Sequence, residues 1–243
     1  MSKRSKIECI VDPLSTSSLQ ERVKIISLKF KTAWYGFKEW VTTAFLYYGT
    51  IPFMKADLSL LAMYLFNSPY TVSKRFLQEE ALKDIYAYGE TPIDTMATIL
   101  KECSITKNDN LFELGSGRGR ICFWLATVCG IEVTGIDIIP EFIERAETIR
   151  KRLGLKNIHF VNSDLLEASL QGGTVFYLFG SGFDDAFLES LIARFASLKK
   201  GTRFITISFP LEDYDQKGNF EILKRFPVSF PWGETDAYYQ IKK

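Results

Sequence analysis

Apolar residues follow two rhythms along this chain. The first hundred residues repeat with a helical period, and short apolar runs alternate with helical stretches after that. Positions 19, 23, 26, 30, 34, 37, 41, 45 and 48 recur with the period of an amphipathic helix, so one long helix is expected over residues 18–48. Its other side carries Lys24, Lys31 and Lys38 at seven-residue spacing, with Arg22 and Lys29. Residues 49–52, ending in Pro52, stop that pattern. A second helix is expected over 57–66 and, past the Asn67-Ser-Pro69 break, a third over 72–86. Pro92 suits the first turn of a helix running to about Cys103, with Thr91 placed to cap it. Residues 1–17 show no clear period and are expected to fray.

From residue 109 onward the pattern predicts strand 109–114, helix 118–129, strand 132–137, helix 140–153, strand 157–161, strand 174–179, helix 183–198 and strand 202–209. Residues 220–227 and 237–242 read as two more strands, joined by a turn containing Pro231-Trp-Gly-Glu-Thr235. Strand and helix in alternation imply an α/β domain with a largely parallel sheet. The chain therefore divides, on its sequence, into an N-terminal helical segment over 1–85 and an α/β domain over 86–243.

The chemistry concentrates where the first strand ends. Leu111-Phe-Glu-Leu-Gly-Ser-Gly-Arg-Gly-Arg120 runs from an apolar strand into a turn with glycines at 115, 117 and 119, and a helical pattern follows. Glycines there let the backbone come close to a ligand and reach conformations a side chain forbids. A second strand delivers Asp137, 18 residues after Gly119, where a carboxylate can accept hydrogen bonds from both hydroxyls of a ribose. The pair points to a nucleoside cofactor. The dinucleotide fingerprint is not met, because the third glycine falls one position early and Arg120 takes its place. Glu113, two positions before the first glycine, would repel a pyrophosphate and hold an ammonium. S-adenosylmethionine carries an amino group and no phosphate, and Glu113-x-Gly115-x-Gly117-x-Gly119 resembles motif I of the class I methyltransferases. The competing readings are a tight turn without a ligand and a nicotinamide or flavin site.

Two further stretches extend the resemblance. The third strand runs into Asn162-Ser163-Asp164-Leu165, and Tyr86-Ala-Tyr88-Gly89-Glu90-Thr91-Pro92 precedes the glycine turn. Tyr-Gly-Glu-Thr upstream of a Glu/Asp-Leu-Gly-Ser-Gly motif resembles the non-SET, disruptor-of-telomeric-silencing type of lysine methyltransferases and the small mitochondrial-type lysine methyltransferases, over about residues 86–210. The resemblance implies a Rossmann-like seven-stranded, mostly parallel sheet in order 3-2-1-4-5-7-6, closed by an antiparallel C-terminal hairpin. It also implies the cofactor contacts. Tyr88, Glu90 and Thr91 would surround the methionyl part, and Glu113 would meet its amino group. Gly115, Ser116, Gly117 and Gly119 would form the turn, with Asp137 and Ile138 at the ribose and Asp164 and Leu165 at the adenine. At the fourth strand the chain departs from the histone enzymes, with Leu178-Phe-Gly-Ser-Gly-Phe183 in place of an Asn-Asn-Phe-like element. That puts histone as the acceptor in question. The Asp/Asn-Pro-Pro-aromatic element that holds a flipped base is missing too, which argues against nucleic-acid amino groups.

If the acceptor is a protein lysine, its ammonium, with an ordinary pKa near 10.4, must shed a proton before attacking a methyl sulfonium. That costs about 4.6 kcal/mol at pH 7. A dry aromatic channel lowers the cost by disfavouring the charged form. Tyr86, Phe179, Phe183 and Trp232 are the channel candidates, with Tyr88, Phe179 and Phe183 expected nearest the reacting atoms. No general base is evident, so positioning is the expected catalytic device. The alternatives are a small-molecule or lipid methyltransferase with the N-terminal helices as its lid, and a catalytically silent fold serving as an interaction module.

Composition narrows the picture further. The chain has 243 residues, 47% of them apolar, and a net charge of +1, which argues against a strongly electrostatic nucleic-acid binder. Cys9, Cys103, Cys122 and Cys129 form no C-x-x-C pair and read as free thiols of a reducing compartment, the cytoplasm being expected. His159 is the only histidine, so no histidine-based metal site is expected. No secretory signal is visible, and the mostly apolar stretches 40–54 and 58–66 are too short to span a bilayer. The first helix has an aromatic face of Phe30, Trp34, Phe37, Trp40, Phe45 and Tyr48. That face either packs on the rest of the protein or lies on a membrane surface, making residues 18–66 the place for any peripheral membrane contact.

Overall fold

The computed structural model describes residues 19–80, 88–180 and 182–243. Residues 1–17 with Cys9, Tyr86 and the expected end of the third helix lie outside them, as do the side chains of Arg22, Lys24, Lys29, Phe30 and Lys31 in the first helix. Four helices come first: α1 (Leu19–Tyr47), α2 (Ile51–Met63), α3 (Pro69–Glu79) and α4 (Ile93–Glu102). Then follow β1 (Asn110–Leu114), α5 (Arg120–Thr127), β2 (Glu132–Asp137), α6 (Pro140–Leu153), β3 (Ile158–Asn162), β4 (Val175–Leu178), α7 (Asp185–Ala196), β5 (Arg203–Ile207), β6 (Phe220–Phe230) and β7 (Gly233–Lys242). A single 3-10 turn covers Leu211–Asp213.

The seven strands form one sheet in order β3-β2-β1-β4-β5-β7-β6. Pairings are parallel from β3 through β5, and β7 joins antiparallel to both β5 and β6. Side chains of alternate residues along each strand enter two cores. Leu111, Val133, Val175, Tyr177 and Ile205 pack with α2, α4, α5 and α6 on one face. Phe112, Leu114, Ile136, Phe176, Leu178 and Phe204 pack with α7 on the other. Parallel strands covered on both faces read as nearly unbroken apolar runs, which is why β4 shows no alternation in sequence.

Proline explains where two helices differ from expectation. Pro52 was expected to end a helix and instead sits in the first turn of α2, where its missing N–H has no partner to lose. α2 therefore starts six residues earlier than the pattern suggested. α3 likewise starts at Pro69, with the Ser68 hydroxyl accepting from the Thr71 N–H at 3.2 Å. Thr91 does not cap α4; Pro92 holds the cap position, and the Thr91 hydroxyl lies 2.6 Å from the hydroxyl of Tyr177 on β4. The hairpin strands are longer than expected because β6 is the sheet edge, where Pro227 is tolerated, and so it runs on to Phe230.

The chain divides into two compact units, Met1–Thr42 and Thr43–Lys243. α2 and α3 thus belong with the sheet rather than with a separate segment ending at residue 85. Within the second unit α2 packs on α5 and α6, and Phe53, Ala56 and Leu60 are fully buried there. α2 also inserts a charge: Asp57, 1% exposed, receives Arg120 through Nε at 2.8 Å and the Tyr48 hydroxyl at 3.0 Å. Removing one member of a buried pair leaves the other charge poorly compensated, at about 3–5 kcal/mol. Asp57→Ala is expected to lower stability by about that much in urea unfolding, and Asp57→Asn by less because an acceptor oxygen remains. Equal midpoints for wild type and Asp57→Ala would remove the pair from the stability of the fold.

Candidate active site

The site forms where β1 and β2 end side by side. Glu113 pairs in register with Gly135 of β2 and Tyr177 of β4, and Asp137 is the last residue of β2. The chain leaving β1 must turn sharply into α5, and Gly115, Gly117 and Gly119 all take positive φ, at 80°, 54° and 79°. Two of these glycines also leave room that a side chain would fill. A Cβ on Gly117 would stand 3.1 Å from the Tyr88 ring, and one on Gly119 would stand 2.6 Å from Phe160. The turn closes on β2, since the N–H groups of Gly115 and Ser116 both donate to the Ile136 carbonyl at 2.9 Å. The Asp137 carboxylate completes it by accepting from the Gly117 N–H at 2.7 Å and the Ile139 N–H at 2.9 Å.

Beyond this turn opens a cavity of about 660 Å³. It is lined by Tyr88, Glu90, Thr91, Glu113, Gly115, Ser116, Gly117, Asp137, Ile138, Asp164 and Leu165, and at its other end by Phe179 and Phe183. Gly119 does not line it; it supplies the left-handed cap of α5 beneath. Trp232 is a correction: it does not line the cavity and is 60% exposed at the hairpin tip. Several lining residues carried no signal in the sequence. Ser73 and Leu77 arrive from α3, Phe142 from α6, Tyr177 from β4 and Phe187 from α7, each looking like an ordinary member of its element's apolar face or of a polar one.

Both arginines of the cavity are held by carboxylates. Arg118 reaches Glu90 through Nε at 2.5 Å and Nη2 at 2.8 Å, and the Tyr88 hydroxyl donates to Glu90 at 2.5 Å. Burial opposes ionisation of Glu90, but the Arg118 guanidinium and these hydrogen bonds outweigh it and hold the carboxyl below its ordinary value. Glu113 has no such cation. Burial, with Glu90 and Asp137 nearby, pushes it up to about 8, against a hydrogen bond donated by the Cys122 thiol at 2.8 Å. Asp137 is pushed up to about 6 by burial, with the backbone N–H groups of Ile139 and Gly117 working the other way. Asp164 lines the cavity while its Oδ1 accepts from the Leu166 N–H at 2.8 Å, holding the turn after β3. The Ser116 hydroxyl is buried with no hydrogen-bond partner among the described residues.

These features fit S-adenosylmethionine. A desolvated carboxyl at Glu113 suits a cation, and the Asp137 carboxylate keeps acceptor capacity beside a glycine turn. No His, Cys, Asp or Glu cluster suited to a metal occurs among the described residues. Binding an ammonium beside Glu113 favours its ionised form, so proton and cofactor compete. Affinity for S-adenosylhomocysteine is expected to rise as pH increases from 6 to about 8, with proton release on binding at pH 7. The stability sign runs the other way. A folded-state value above the ordinary 4.5 favours the fold at low pH, and that contribution is lost as pH rises through about 8. Calorimetry in buffers of different ionisation enthalpy reads the proton release, and Glu113→Gln should abolish it; an unchanged proton release in that variant would assign it elsewhere.

Comparison with known proteins agrees with this geometry. A family described as a methyltransferase domain matches residues 105–206, which hold the glycine turn, Asp137, Asp164 and β1 to β5. The rRNA adenine N-6-methyltransferase of Limosilactobacillus reuteri is 32% identical over 83 residues, covering 34% of this chain and 33% of that protein. The H3 lysine-79 specific histone-lysine N-methyltransferase of Yarrowia lipolytica is 25% identical over 202 residues, 72% of this chain and 40% of that one. This chain thus spans a third to two fifths of the length of these two curated relatives. Among solved structures, an RNA methyltransferase from Salinibacter ruber in complex with S-adenosyl-L-homocysteine superposes with a TM-score of 0.52 at 24% identity, covering 64% of this chain and 95% of that one.

Proposed function

We propose that this chain, which carries a class I S-adenosylmethionine-dependent methyltransferase domain, transfers the methyl group to the side-chain amine of a lysine in a protein. The observation that carries the reading is the wall of the cavity at the carboxyl end of β4. Phe179, Phe183 and Phe187 line it, and residues 174–193 contain no lysine or arginine. A nucleic-acid substrate would bring phosphates to a stretch that supplies no lysine or arginine, whereas an apolar aromatic wall disfavours the charged form of an amine acceptor. Tyr-Gly-Glu-Thr at 88–91 adds to this reading, since both Tyr88 and Thr91 line the same cavity and the Yarrowia relative is a lysine enzyme by name.

When bound, the cofactor supplies an electrophilic methyl on a positively charged sulfonium. The chain's own residues then have three tasks. Glu113 and Asp137 would hold the cofactor's amino and ribose groups and so orient it in the cavity. Tyr88, braced against Phe142 at 5.3 Å and Tyr70 at 5.0 Å between ring centroids, covers the glycine turn and keeps water from it. Phe179 and Phe183 surround the acceptor nitrogen with apolar surface, lowering its pKa toward the neutral, nucleophilic form. In-line placement supplies the rest of the rate.

Methyl-labelled cofactor incubated with the full chain and separated protein, RNA and small-molecule fractions of a cell extract tests the acceptor class. Label is expected in protein, recovered as methyllysine after hydrolysis; label confined to RNA or to small molecules overturns the reading. Phe179→Ala should lower kcat about tenfold, the scale of one pKa unit returned to the ammonium, with little change in S-adenosylhomocysteine affinity.

A second observation concerns where the acceptor is met. Trp34, Phe37, Val41 and Phe45 share one face of α1 and are 60%, 56%, 43% and 87% exposed. No helix among the described residues is long and apolar enough to cross a membrane. We infer peripheral contact with an anionic membrane surface, the apolar face entering the interface and the exposed Lys38 of the same helix meeting headgroups. Flotation of the full chain with anionic vesicles at low salt is expected, and its loss in a Trp34→Ser, Phe37→Ser variant; a full chain that stays with the soluble fraction overturns the contact.

A further inference from the structure

An aromatic path leads from the cavity to the surface. Phe179 lines the cavity and lies 5.1 Å, centroid to centroid, from Phe230 of β6. Phe230 is buried and stacks on Trp232 at 5.3 Å and 11°. Trp232 lies in the tight turn between β6 and β7 and leaves most of its ring in solvent. Topology puts this tip beside the cavity mouth: β7 pairs antiparallel with β5, Ile207 against Ala237, so the turn extends past the carboxyl end of β5. β5 runs parallel to β4, whose carboxyl end feeds Phe179. A large indole exposed at a hairpin tip, with a stacked ring on one side only, presents its other face to an incoming group.

The charge around this opening is one-sided. Asp184 lines the cavity, and next to it Asp185 accepts from the Tyr214 hydroxyl at 3.1 Å. Asp213 and Glu189 act electrostatically on that same hydroxyl. Residues 179–193, 208–216 and 229–235 together contain seven acidic residues and no lysine or arginine, in a chain whose net charge is +1. The negative edge is therefore local to the side of the sheet from which an acceptor would enter.

We propose that Trp232 is a specificity-determining residue that docks a basic side chain flanking the methylated lysine, and that the acceptor segment is positively charged. The exposed indole face takes an arginine or lysine by a cation–π contact, and the acidic edge steers and orients the rest of the segment. This inference rests on the protein-lysine reading and deepens it by naming the character of the acceptor sequence. An acidic segment or a phosphate backbone would be repelled at the same edge.

Fluorescent peptides with one central lysine flanked by arginines, by serines or by glutamates, titrated into the full chain saturated with S-adenosylhomocysteine, test it. The arginine-flanked peptide should bind tightest, and less tightly as salt is raised. Trp232→Ala should weaken that peptide about fivefold to tenfold while Trp232→Phe retains most of the affinity, S-adenosylhomocysteine binding being unchanged in both. Equal affinity for the three peptides overturns the proposal. So does a Trp232→Ala variant that loses cofactor and peptide affinity together, or an RNA oligonucleotide that binds more tightly than the arginine-flanked peptide. Transfer of labelled methyl to the same peptides separates the two readings. Label in all three lysines at equal KM leaves the lysine reading standing and removes the docking one. Trp232-dependent binding without label in any lysine removes the lysine reading and leaves a docking surface for basic chains.

Discussion

The carboxylate of Asp137 is bonded into the glycine turn, and much of the site depends on that. Its two backbone hydrogen bonds, from Gly117 and Ile139, tie the end of β2 to the start of α5 and of α6 at once. A turn at three positive-φ glycines has little intrinsic preference for one shape, because glycine has the most conformational freedom to lose. A charged acceptor aimed at the Gly117 N–H selects one shape, and the Ile136 carbonyl fixes the preceding two residues. The same carboxylate therefore holds the turn and, on the proposed reading, would offer acceptor oxygens to a ribose. Both uses require the ionised form, which burial opposes, and the backbone donors work against that opposition.

Around this turn the protein handles charge in two different ways. Arg118 and Arg120 could have left two cations at the mouth of a site for a cationic cofactor. Instead Arg118 is committed to Glu90 and Arg120 to Asp57, one from the loop before α4 and one from α2. Buried pairs of this kind contribute little net stability, but breaking one is costly, so they act as fixed joints between segments distant in sequence. Glu113 is the exception, a buried carboxyl with a thiol as its hydrogen-bond donor and no cation. A site that leaves one carboxyl uncompensated, with its pKa raised toward neutrality, is built to receive a positive charge from a ligand.

Much of this was legible in the sequence because it is local. Glu113, the three glycines, Asp137 and Asp164 lie at strand ends, and alternating apolar runs mark strand ends well. The sheet order followed from a resemblance rather than from any pattern, since strand pairing depends on residues far apart in the chain. The misses were long-range as well. Asp57 looked like the start of a surface helix, and only the fold reveals that it is buried against Arg120, 63 residues later. Thr91 had the right type and place for a helix cap, yet its hydroxyl meets Tyr177, 86 residues away. Pro52 was read as a stop because proline both ends helices and begins them, and the sequence alone does not choose. Trp232 was assigned to the channel wall on residue type, whereas the length of the hairpin carries it past Phe230 into solvent.

The two ends of the cavity therefore recognise their ligands by different physics. At the cofactor end the groups are buried and directional: backbone N–H groups, desolvated carboxyls and a glycine turn with no room for a Cβ at Gly119. At the end proposed for the acceptor the surface is more open, with Phe179 and Phe183 in the wall, Trp232 outside it at the hairpin tip, and acidic residues along the neighbouring loops. A common cofactor rewards a rigid, deeply built pocket. If the acceptor is a protein, as proposed, it presents one side chain on a surface that must approach, react and leave, and for that a flat aromatic tip with long-range charge would serve better than a second deep pocket. The region matched by the methyltransferase-domain family, 105–206, holds the glycine turn, Asp137 and Asp164, and stops short of the hairpin that carries Trp232. Differences in acceptor among such enzymes are then expected to reside in the loop after β4 and in that hairpin, while the turn at Gly115 to Gly119 stays the same.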